Sequence, residues 1–225
     1  TFLISTWANV RIIGGNVEDQ IELYGTTLVE ERSTHLGLWL SSKRQETQFL
    51  SSNPQLLTPA REDIQSRVDF LKQQHKLNLS SYENIFFVDI SEDAYIAYLE
   101  DQTVALDSSY SGLSTLENVA DSRQQRISSP FKSDFSNKYI ILIATPILAG
   151  NEVLGIVAAT LNMTDFSYLL ADLVDNDGSL AFLVDNQGNV IAHPDPLYAG
   201  LANIKSDQIP GIKTQADTIM GEPTG

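Results

Sequence analysis

The sequence predicts an α+β fold in which antiparallel sheets carry helices, and three observations lead to that prediction. Residues 18–52 contain Gly25 and Gly37 but no other glycine and no proline, as expected of one long helix. From residue 84 onward, short runs rich in Ile, Val, Phe and Tyr alternate with turn residues, which is typical of strands. Short turns join consecutive runs, and strands joined in this way form antiparallel rather than parallel sheets.

The predicted first helix, residues 18–52, is amphipathic, because at 100° per residue its apolar side chains form one stripe. At ~1.5 Å rise per residue it would be roughly 50 Å long, more than an ordinary globular domain needs. Polar residues that interrupt the stripe either contact loops or a second subunit, or are solvated, and solvation is favoured in so acidic a chain. A homodimer along this helix is a hypothesis. The apolar positions are Ile21, Tyr24, Leu28, Leu36, Trp39 and Leu50, and the interrupting ones are Arg32, His35, Lys43 and Glu46.

A second helix follows the first after a proline-containing break. Pro54 disfavours helical geometry at Asn53, so the first helix ends there. Thr58 can cap the next helix, with Pro59 at its first helical position. This helix is predicted to run to about Leu77.

The remainder of the chain reads as strands with short helices between them. A turn signal at Ala149–Asn151 joins two long apolar runs into a hairpin. Residues 112–126 suit a short helix and loop, and Asn162 or Thr164 can cap another helix. The predicted strands are "NIFFVDI", "AYIAYLE", "TVALD", "KYIILIATPIL" and "EVLGIVAATLN", and the helix after them is "DFSYLLADL".

The stretch "LAFLVDNQGNVIAHPDP", residues 180–196, predicts a strand, a turn and a second strand. Residues 181–194 resemble residues 85–99, with Phe, Val and Asp matching in each copy. One interpretation is a second module of the same kind, with a short helix at 206–218 and no later strands. The other is the alternation that any two hairpins share, because strand patterns carry little information.

Composition excludes several classes of function. The formal charge of the 225 residues is −15, and nucleic-acid binding needs clustered Lys and Arg, so no nucleic-acid partner is expected. The chain has no cysteine, which removes thiolate nucleophiles and cysteine-based zinc sites. His35, His75 and His193 lie too far apart for a local metal motif, and no nucleophile elbow or phosphate loop occurs. We therefore expect no catalysis by this domain, no metal and no cofactor.

Four segments in order resemble the double Cache family, the PAS-like extracytoplasmic sensor domains of bacterial chemoreceptors, sensor histidine kinases and diguanylate cyclases. The resemblance covers nearly the whole chain and implies a helical spine at residues 1–52, a membrane-distal module at 53–174 and an incomplete membrane-proximal module at 175–225. The segments are "LGLWLSSKRQETQFLSSNPQL", "IFFVDISEDAYIAYL", "YIILIATPILAGNEVLGIVAATLNMTDFSYLL" and "GSLAFLVDNQGNVIAHPD".

The resemblance also implies a function and a location. Such domains bind a small molecule in the distal module and relay the event through the long helix to an output domain. The chain would then be the periplasmic or extracellular portion of an inner-membrane protein, anchored by segments outside this sequence. The alternative is a free-standing soluble α+β enzyme or solute-binding protein.

The amino-acid-binding branch of the family implies a pattern that this sequence only partly follows. That branch carries an Arg and a Trp, then a Tyr-x-Asp, then an Asp on the second hairpin strand. Here Arg123 and Arg126 occur without the Trp, Ser133 stands where the first Asp is expected, and Thr160 stands at the second. Two carboxylates for a ligand ammonium group are therefore missing, and a standard amino acid is not expected as the ligand.

On the family's geometry, the wall of the distal pocket would combine aromatic, basic and hydroxyl side chains. The aromatic rings could stack on a ligand, and an Arg could bind a carboxylate through its fork of donors. We expect a small organic anion or a neutral metabolite as the ligand. The predicted ligand-binding residues are Tyr95, Tyr98, Tyr110, Arg123, Arg126, Phe131, Ser133 and Thr160.

Overall fold

A computed structural model gives the architecture of the chain. The chain divides into two compact units, a central unit, Ser41–Asn162, and a terminal unit that combines Thr1–Leu40 with Met163–Gly225. The α+β class predicted from the sequence is confirmed. The structure describes residues 9–13, 37–57, 64–77, 82–91, 94–163, 167, 180–184, 188–193, 195, 198 and 202–205.

The central unit is built on an antiparallel sheet of seven strands with helices packed against it. Helix α1 occupies residues 37–51. The other elements are α2 (Ile64–Leu77), β2 (Asn84–Ser91), β3 (Ala94–Tyr98), β4 (Thr103–Leu106), α3 (Leu113–Ser122), β5 (Arg126–Ile127), β6 (Phe131–Lys132), β7 (Tyr139–Ala149) and β8 (Glu152–Asn162). The strands lie in the order β4-β3-β2-β8-β7-β5, and β6 also pairs with β7.

The β7–β8 hairpin forms the centre of this sheet. Gly150 at its turn has a φ of +61°, a conformation that glycine adopts without steric cost. Further along β8, a side chain at Gly155 would meet the Phe87 ring of β2, since a Cβ there would lie 2.5 Å from Cε2. The glycine of the sequence run "EVLGIVAATLN" therefore allows β8 and β2 to pack closely.

Alternation along the strands gives the sheet two faces. One face carries Phe86, Leu142, Ala144, Ile156 and Ala158 and packs under α3 and the segment that contains β6; we call it the aromatic face. The other face carries Phe87, Thr145 and Val157 and packs under α1 and α2; we call it the helical face.

The helical face contains polar side chains with partners. Lys43 of α1 is only 7% exposed, and its Nζ donates to both carboxylate oxygens of Glu46 at 3.0 Å. The Tyr82 hydroxyl donates to Glu46 at 2.7 Å, and the Lys43 ammonium lies 4.9 Å from the Tyr82 ring centroid. Solvation, the favoured expectation for these residues, is therefore wrong for Lys43. Arg32 and His35 lie outside the described residues.

A second polar cluster joins α1 to β7 and to the residue that precedes β5. Gln125 donates from Nε2 to the hydroxyls of Thr47 and Thr145, both at 2.9 Å, and the two threonines bond to each other at 3.2 Å. Arg44 Nε donates to Gln125 Oε1 at 2.8 Å. Since Thr47 and Thr145 are almost fully buried, these bonds satisfy groups that would otherwise be costly to bury.

The terminal unit contains a separate antiparallel sheet of three described strands, β1 (Asn9–Ile13), β9 (Leu180–Val184) and β10 (Val190–Ala192), in the order β1-β9-β10. The strand, turn and strand predicted within residues 180–196 thus correspond to β9 and β10, while β1 was not predicted. Its described core consists of Phe182, Val184, Val190, Ala202 and Ile204.

Several predictions fall on parts of the chain outside the described residues. These are the first half of the long helix, the cap at Thr58, the helices at 165–173 and 206–218, and the completeness of the second module. The module boundaries at 52/53 and 174/175 stay predictions, and the boundaries of the two compact units fall at 40/41 and 162/163.

Candidate ligand-binding site

Aromatic side chains gather on the aromatic face of the central sheet. The Tyr110 ring meets the Phe131 ring edge to face, with centroids 5.8 Å apart, and the Phe135 ring at 5.9 Å. Phe135 in turn lies 6.5 Å from Phe86 of β2. Such aromatic contacts add stability beyond simple burial, and they also present ring faces that can bind a ligand.

Local sequence fixes the position of Tyr110. The residue follows β4 in a turn closed by its backbone N–H, which donates to the Asp107 carbonyl at 2.9 Å. Two residues later, a Cβ at Gly112 would lie 2.7 Å from Tyr110 Cε1 and 3.0 Å from Phe131 Cζ. A glycine at this position therefore allows the two rings to pack together.

The Tyr110 hydroxyl is the first unusual polar group of this face. The residue is only 6% exposed, and within the described residues its hydroxyl has no hydrogen-bond partner. Burial raises the pKa of Tyr110, and the negative charges of Asp134 and Glu83 raise it further. The phenol is therefore neutral at physiological pH and lies in a negative electrostatic environment.

Glu83 is the second unusual polar group. It occupies a bend immediately before β2, where its backbone N–H donates to the Thr160 carbonyl of β8 at 2.8 Å. Both of its carboxylate oxygens are buried, and no described residue forms a hydrogen bond with either of them. Because more than about 90% of buried polar groups in proteins are hydrogen-bonded, a buried carboxylate without a partner calls for an explanation.

A tight turn after β6 sets the edge of the site. Ser133 is buried, and its hydroxyl accepts the backbone N–H groups of Phe135 and Ser136 at 3.2 and 3.3 Å. This turn places Asp134 on the surface and Phe135 in contact with Tyr110. Asp134 is thus an exposed acidic group next to the aromatic cluster.

The structure brings some of the predicted site residues together and separates others. Tyr95, Tyr110 and Phe131 pack against the core of the aromatic face. Thr160 of β8 pairs with Leu142 of that face, and its hydroxyl lies 3.5 Å from the Asn84 carbonyl. The Ser133 hydroxyl accepts a backbone hydrogen bond within the turn after β6.

Three predicted residues lie elsewhere. Tyr98 belongs to the helical face, where its ring lies 6.1 Å from that of Phe87. Arg123 is an exposed residue that ends α3 in a left-handed conformation, and Arg126 is exposed on β5. Contact with a ligand stays a prediction for each of the residues named from the sequence.

Sequence reasoning missed several residues of this face. Phe86, Phe135, Asp134 and Glu83 were not among the predicted site residues, yet they lie around Tyr110 or act on it electrostatically. Asp134 could have been found, because it follows Ser133, where the family pattern calls for an acid. Glu83 carried no local signal, since its role depends on its burial and on its backbone bond to Thr160.

The described histidines have structural surroundings. His75 of α2 lies 3.4 Å from Glu100 and from the Tyr82 carbonyl. His193 is buried against Phe182 and Tyr198, and burial lowers its pKa. Within the described part of the chain, no three His, Cys, Asp or Glu residues are placed to hold a metal ion. Among the described helices, none has the length and apolar character needed to cross a membrane.

Comparison with known sequences gives one short match. No model of a known protein family matches the chain. A stretch of 69 residues is 29% identical to the methyl-accepting chemotaxis protein PscA of Pseudomonas syringae pv. tomato. This match covers 31% of the chain and only 11% of that protein, so it concerns a small part of the receptor.

Comparison with solved structures identifies the fold. The ligand-binding domain of the amino acid chemoreceptor PctC from Pseudomonas aeruginosa, in complex with GABA, superimposes with a TM-score of 0.63 at 16% identity, covering 83% of this chain and 80% of that one. The ligand-binding domain of the Pseudomonas fluorescens chemoreceptor CtaA, in complex with L-serine, gives 0.63 at 17% identity, covering 84% and 78%.

A third similar structure comes from another class of receptor. The extracellular domain of the histidine kinase mmHK1S-Z2 gives a TM-score of 0.57 at 13% identity, covering 89% of this chain and 81% of that one. The chain therefore has the fold of extracytoplasmic sensor domains, and the resemblance noted from the sequence is confirmed at the level of the fold. The domains that share this fold are described as ligand-binding or extracellular domains.

One expectation from the sequence is wrong. We did not expect a standard amino acid as the ligand, because Ser133 and Thr160 replace the two expected carboxylates. Two of the similar domains were solved in complex with GABA and with L-serine, so the fold itself gives no ground for excluding amino acids as ligands. The physical reason for the error is that the expectation considered only two positions, whereas other carboxylates lie near them: the carboxylate oxygens of Glu83 are buried and its backbone N–H donates to the Thr160 carbonyl, and Asp134 follows Ser133.

Proposed function

We propose that the chain is the ligand-sensing domain of a transmembrane signalling protein, and that the aromatic face of its central unit binds a small molecule. The shared fold with chemoreceptor ligand-binding domains supports the proposal. The single observation that carries it is the presence of two buried polar groups, the Tyr110 hydroxyl and the Glu83 carboxylate, without a hydrogen-bond partner among the described residues. Buried polar groups without a partner lower stability, and a bound ligand that forms hydrogen bonds with them would remove that cost.

The binding surface that we propose combines sequence-predicted residues with those added by the structure. Tyr110, Phe131 and Phe135 supply aromatic contact area, and Tyr95 packs against the same core. Thr160 adds a hydroxyl on the same face of β8. A mostly apolar surface with a few placed polar groups is the usual composition of a small-molecule site.

We further propose that this domain performs no catalysis and lies outside the cytoplasm, in the periplasm if the full-length protein is anchored in an inner membrane. The similar solved domains, one of which is described as extracellular, support both statements. Output by a kinase, a cyclase or a chemotaxis signalling region would then belong to other parts of the full-length protein.

We propose that helix α1 transmits ligand binding to the output part of the full-length protein. Its Glu46 bonds to Tyr82 next to Glu83, and its Thr47 bonds to Thr145 of β7. A movement of the bend at Glu83 would therefore reach α1 through a single residue, Tyr82. A ligand can shift the equilibrium between two positions of this helix only if it binds the protein with a different affinity in each. A homodimer along this helix remains part of the proposal.

A matched pair of aromatic substitutions tests the location of the site. Small molecules that raise the melting temperature of the protein are first identified from a panel of amino acids, amines, organic acids and sugars. Phe135→Leu on the aromatic face should weaken binding of the compounds found, whereas Phe49→Leu, at an exposed position of α1, should leave their affinity unchanged. Loss of binding in the Phe49 variant alone, or a panel without any stabilising compound, would contradict the proposal.

A further inference from the structure

Gln125 joins elements of the central unit that lie on opposite faces of its sheet. It follows α3, whose buried Leu116 and Val119 pack on the aromatic face, and it immediately precedes β5. Its side chain, however, lies on the helical face, where it bonds to Thr145 and to α1. The segment that contains Gln125 therefore connects the helix that covers the proposed binding surface to the helix proposed for transmission.

The connection between α3 and Gln125 is short and closely defined. Arg123 ends α3 in a left-handed conformation with a φ of +57°, and its backbone N–H donates to the Val119 carbonyl at 2.9 Å. One further residue, Gln124, separates Arg123 from Gln125, and β5 begins directly afterwards. Because each residue has only two soft backbone dihedrals, so short a connection can absorb little movement. A displacement of α3 is therefore carried to Gln125.

The amide group of Gln125 has more acceptors around it than it has hydrogen atoms to donate. Its Nε2 lies 2.9 Å from each of three oxygens, the Arg44 carbonyl and the hydroxyls of Thr47 and Thr145. Its Oε1 accepts from Arg44 Nε at 2.8 Å. These partners fix the orientation of the amide, because a flipped amide would place its NH2 group against the guanidinium donor. Two N–H groups shared among three oxygens can therefore exchange one acceptor for another when α1 moves slightly.

We propose that Gln125 is the positioning residue through which α3 sets the placement of α1. Three of its four bonds go to α1 and the fourth goes to Thr145 of β7, so a shift of α3 changes how α1 is held against the sheet. A ligand that binds the aromatic face and moves α3 thereby changes the position of α1. This role in sensing rests on the proposed function, because it needs the ligand to bind that face, whereas the linkage between the helices does not.

A mutant cycle across the sheet tests the linkage without any ligand. Val119→Ala loosens the packing of α3 on the aromatic face, opposite to the face that carries α1. Amide hydrogen exchange on the whole chain then measures local opening of α1. Helix α2 is the internal reference, because it packs on the same face as α1 and none of the four bonds of Gln125 reaches it. We expect Val119→Ala to raise exchange in α1 relative to α2 by about 3- to 30-fold, the usual size of coupling between linked sites.

Gln125→Met keeps the length of the side chain and removes its hydrogen bonds. In this background Val119→Ala should change exchange in α1 relative to α2 by less than about twofold, because unlinked sites act additively. Gln124→Met, at the exposed neighbouring position, is the matched control and should leave the effect of Val119→Ala intact. A merely structural role for Gln125 would raise exchange in α1 without altering the factor that Val119→Ala produces. If Val119→Ala prevents folding, Leu113→Ala, at the partly buried first residue of α3, replaces it.

The outcomes distinguish this inference from the proposed function. The inference is overturned if Gln125→Met leaves the factor produced by Val119→Ala unchanged, or if that factor is below about twofold in the wild type. If compounds of the panel bind and Phe135→Leu weakens them while the linkage is absent, the binding site remains and only the inference falls. If the linkage is found but no compound of the panel raises the melting temperature, the proposed function falls and the linkage between α3 and α1 stands.

Discussion

The polar clusters on the two faces of the central sheet differ in their hydrogen bonding. On the helical face, Thr47, Thr145 and Gln125 bond to one another, and Glu46 accepts from Tyr82 and Lys43. On the aromatic face, the hydroxyl of Tyr110 and the carboxylate of Glu83 are buried without a hydrogen-bond partner among the described residues. The sheet is common to both, so the difference lies in what covers each face.

This difference indicates a division of work. Satisfied polar networks rigidify a protein and specify one arrangement of its helices. Unsatisfied groups lower stability, and each of them in a folded protein calls for an explanation, of which a functional role is one. On the proposed function, the helical face supports the fold and holds α1 against the sheet, while the aromatic face is less stabilised and binds the ligand. Substitutions on the two faces should have different signatures.

The largest effect is expected on the helical face at Gly155. A Cβ there would lie 2.5 Å from Phe87 Cε2 and 2.9 Å from the Val88 carbonyl, and the residue has a φ of +150°. Gly155→Ala should lower the free energy of unfolding by about 3 kcal/mol, because a clash with backbone cannot be relieved by a small rotation. Urea denaturation measures this loss.

Gly150 is the matched control for that substitution. It also has a positive φ, +61°, but nothing lies within 4 Å of a Cβ built there. Gly150→Ala should lower the free energy of unfolding by about 1 kcal/mol, because only the left-handed backbone conformation is then unfavourable. Equal losses at the two glycines would show that the close packing of β8 on β2 does not matter.

A middle-sized effect is expected for the threonine cluster of the helical face. Thr145→Val keeps the shape of the side chain and leaves Thr47 and Gln125 with fewer partners. The free energy of unfolding should fall by about 1–2 kcal/mol, as when a buried hydrogen bond loses one partner. Ligand affinity should not change. Thr103→Val, at an exposed position of β4, is the control and should be nearly neutral.

A smaller effect, dependent on pH, is expected at Glu46. Burial works to raise the pKa of Glu46, but the hydrogen bonds from Tyr82 and Lys43 and the charge of Lys43 lower it below its usual value of 4.5. A carboxyl group with a lowered folded-state pKa contributes stability above its unfolded-state pKa and loses it as the pH falls through the folded-state value. Glu46→Gln should therefore be less stable than the wild type near neutral pH.

The pH series then distinguishes charge from packing. Because Glu46 is partly exposed, we expect a difference below about 1 kcal/mol at neutral pH, shrinking once the pH falls below the lowered pKa of the carboxyl group. Urea denaturation at neutral and acidic pH measures it. A difference that stays constant down to acidic pH would mean that Glu46 acts through shape and not through its charge.

Much of the fold was predictable because its signals are local. Alternation gave β2, β3 and β4, and the turn signal at Ala149–Asn151 gave the β7–β8 hairpin. Strands β5 and β6 have two residues each and exist only through pairing with β7, so no local pattern could show them. Strand β1 likewise depends on pairing with β9, near the other end of the chain.

The candidate site was less predictable, and the reasons differ among residues. Tyr95 and Tyr98 are three residues apart on one strand, so alternation alone places them on opposite faces, and only Tyr95 packs on the aromatic face. The turn after β6 carries its acid one position beyond the expected one, at Asp134. Glu83 could not be found from sequence, because its burial and missing partners are tertiary properties.

Two identical substitutions on opposite faces test the central claim most directly. Tyr82→Phe removes a hydroxyl that donates to Glu46 at 2.7 Å, and Tyr110→Phe removes one without a described partner. Thermal unfolding without ligand should show a lower melting temperature for Tyr82→Phe and an equal or higher one for Tyr110→Phe, with weaker ligand binding only in the latter. A melting temperature lowered equally by both substitutions, with ligand affinity unchanged in both, would contradict the division of work between the two faces.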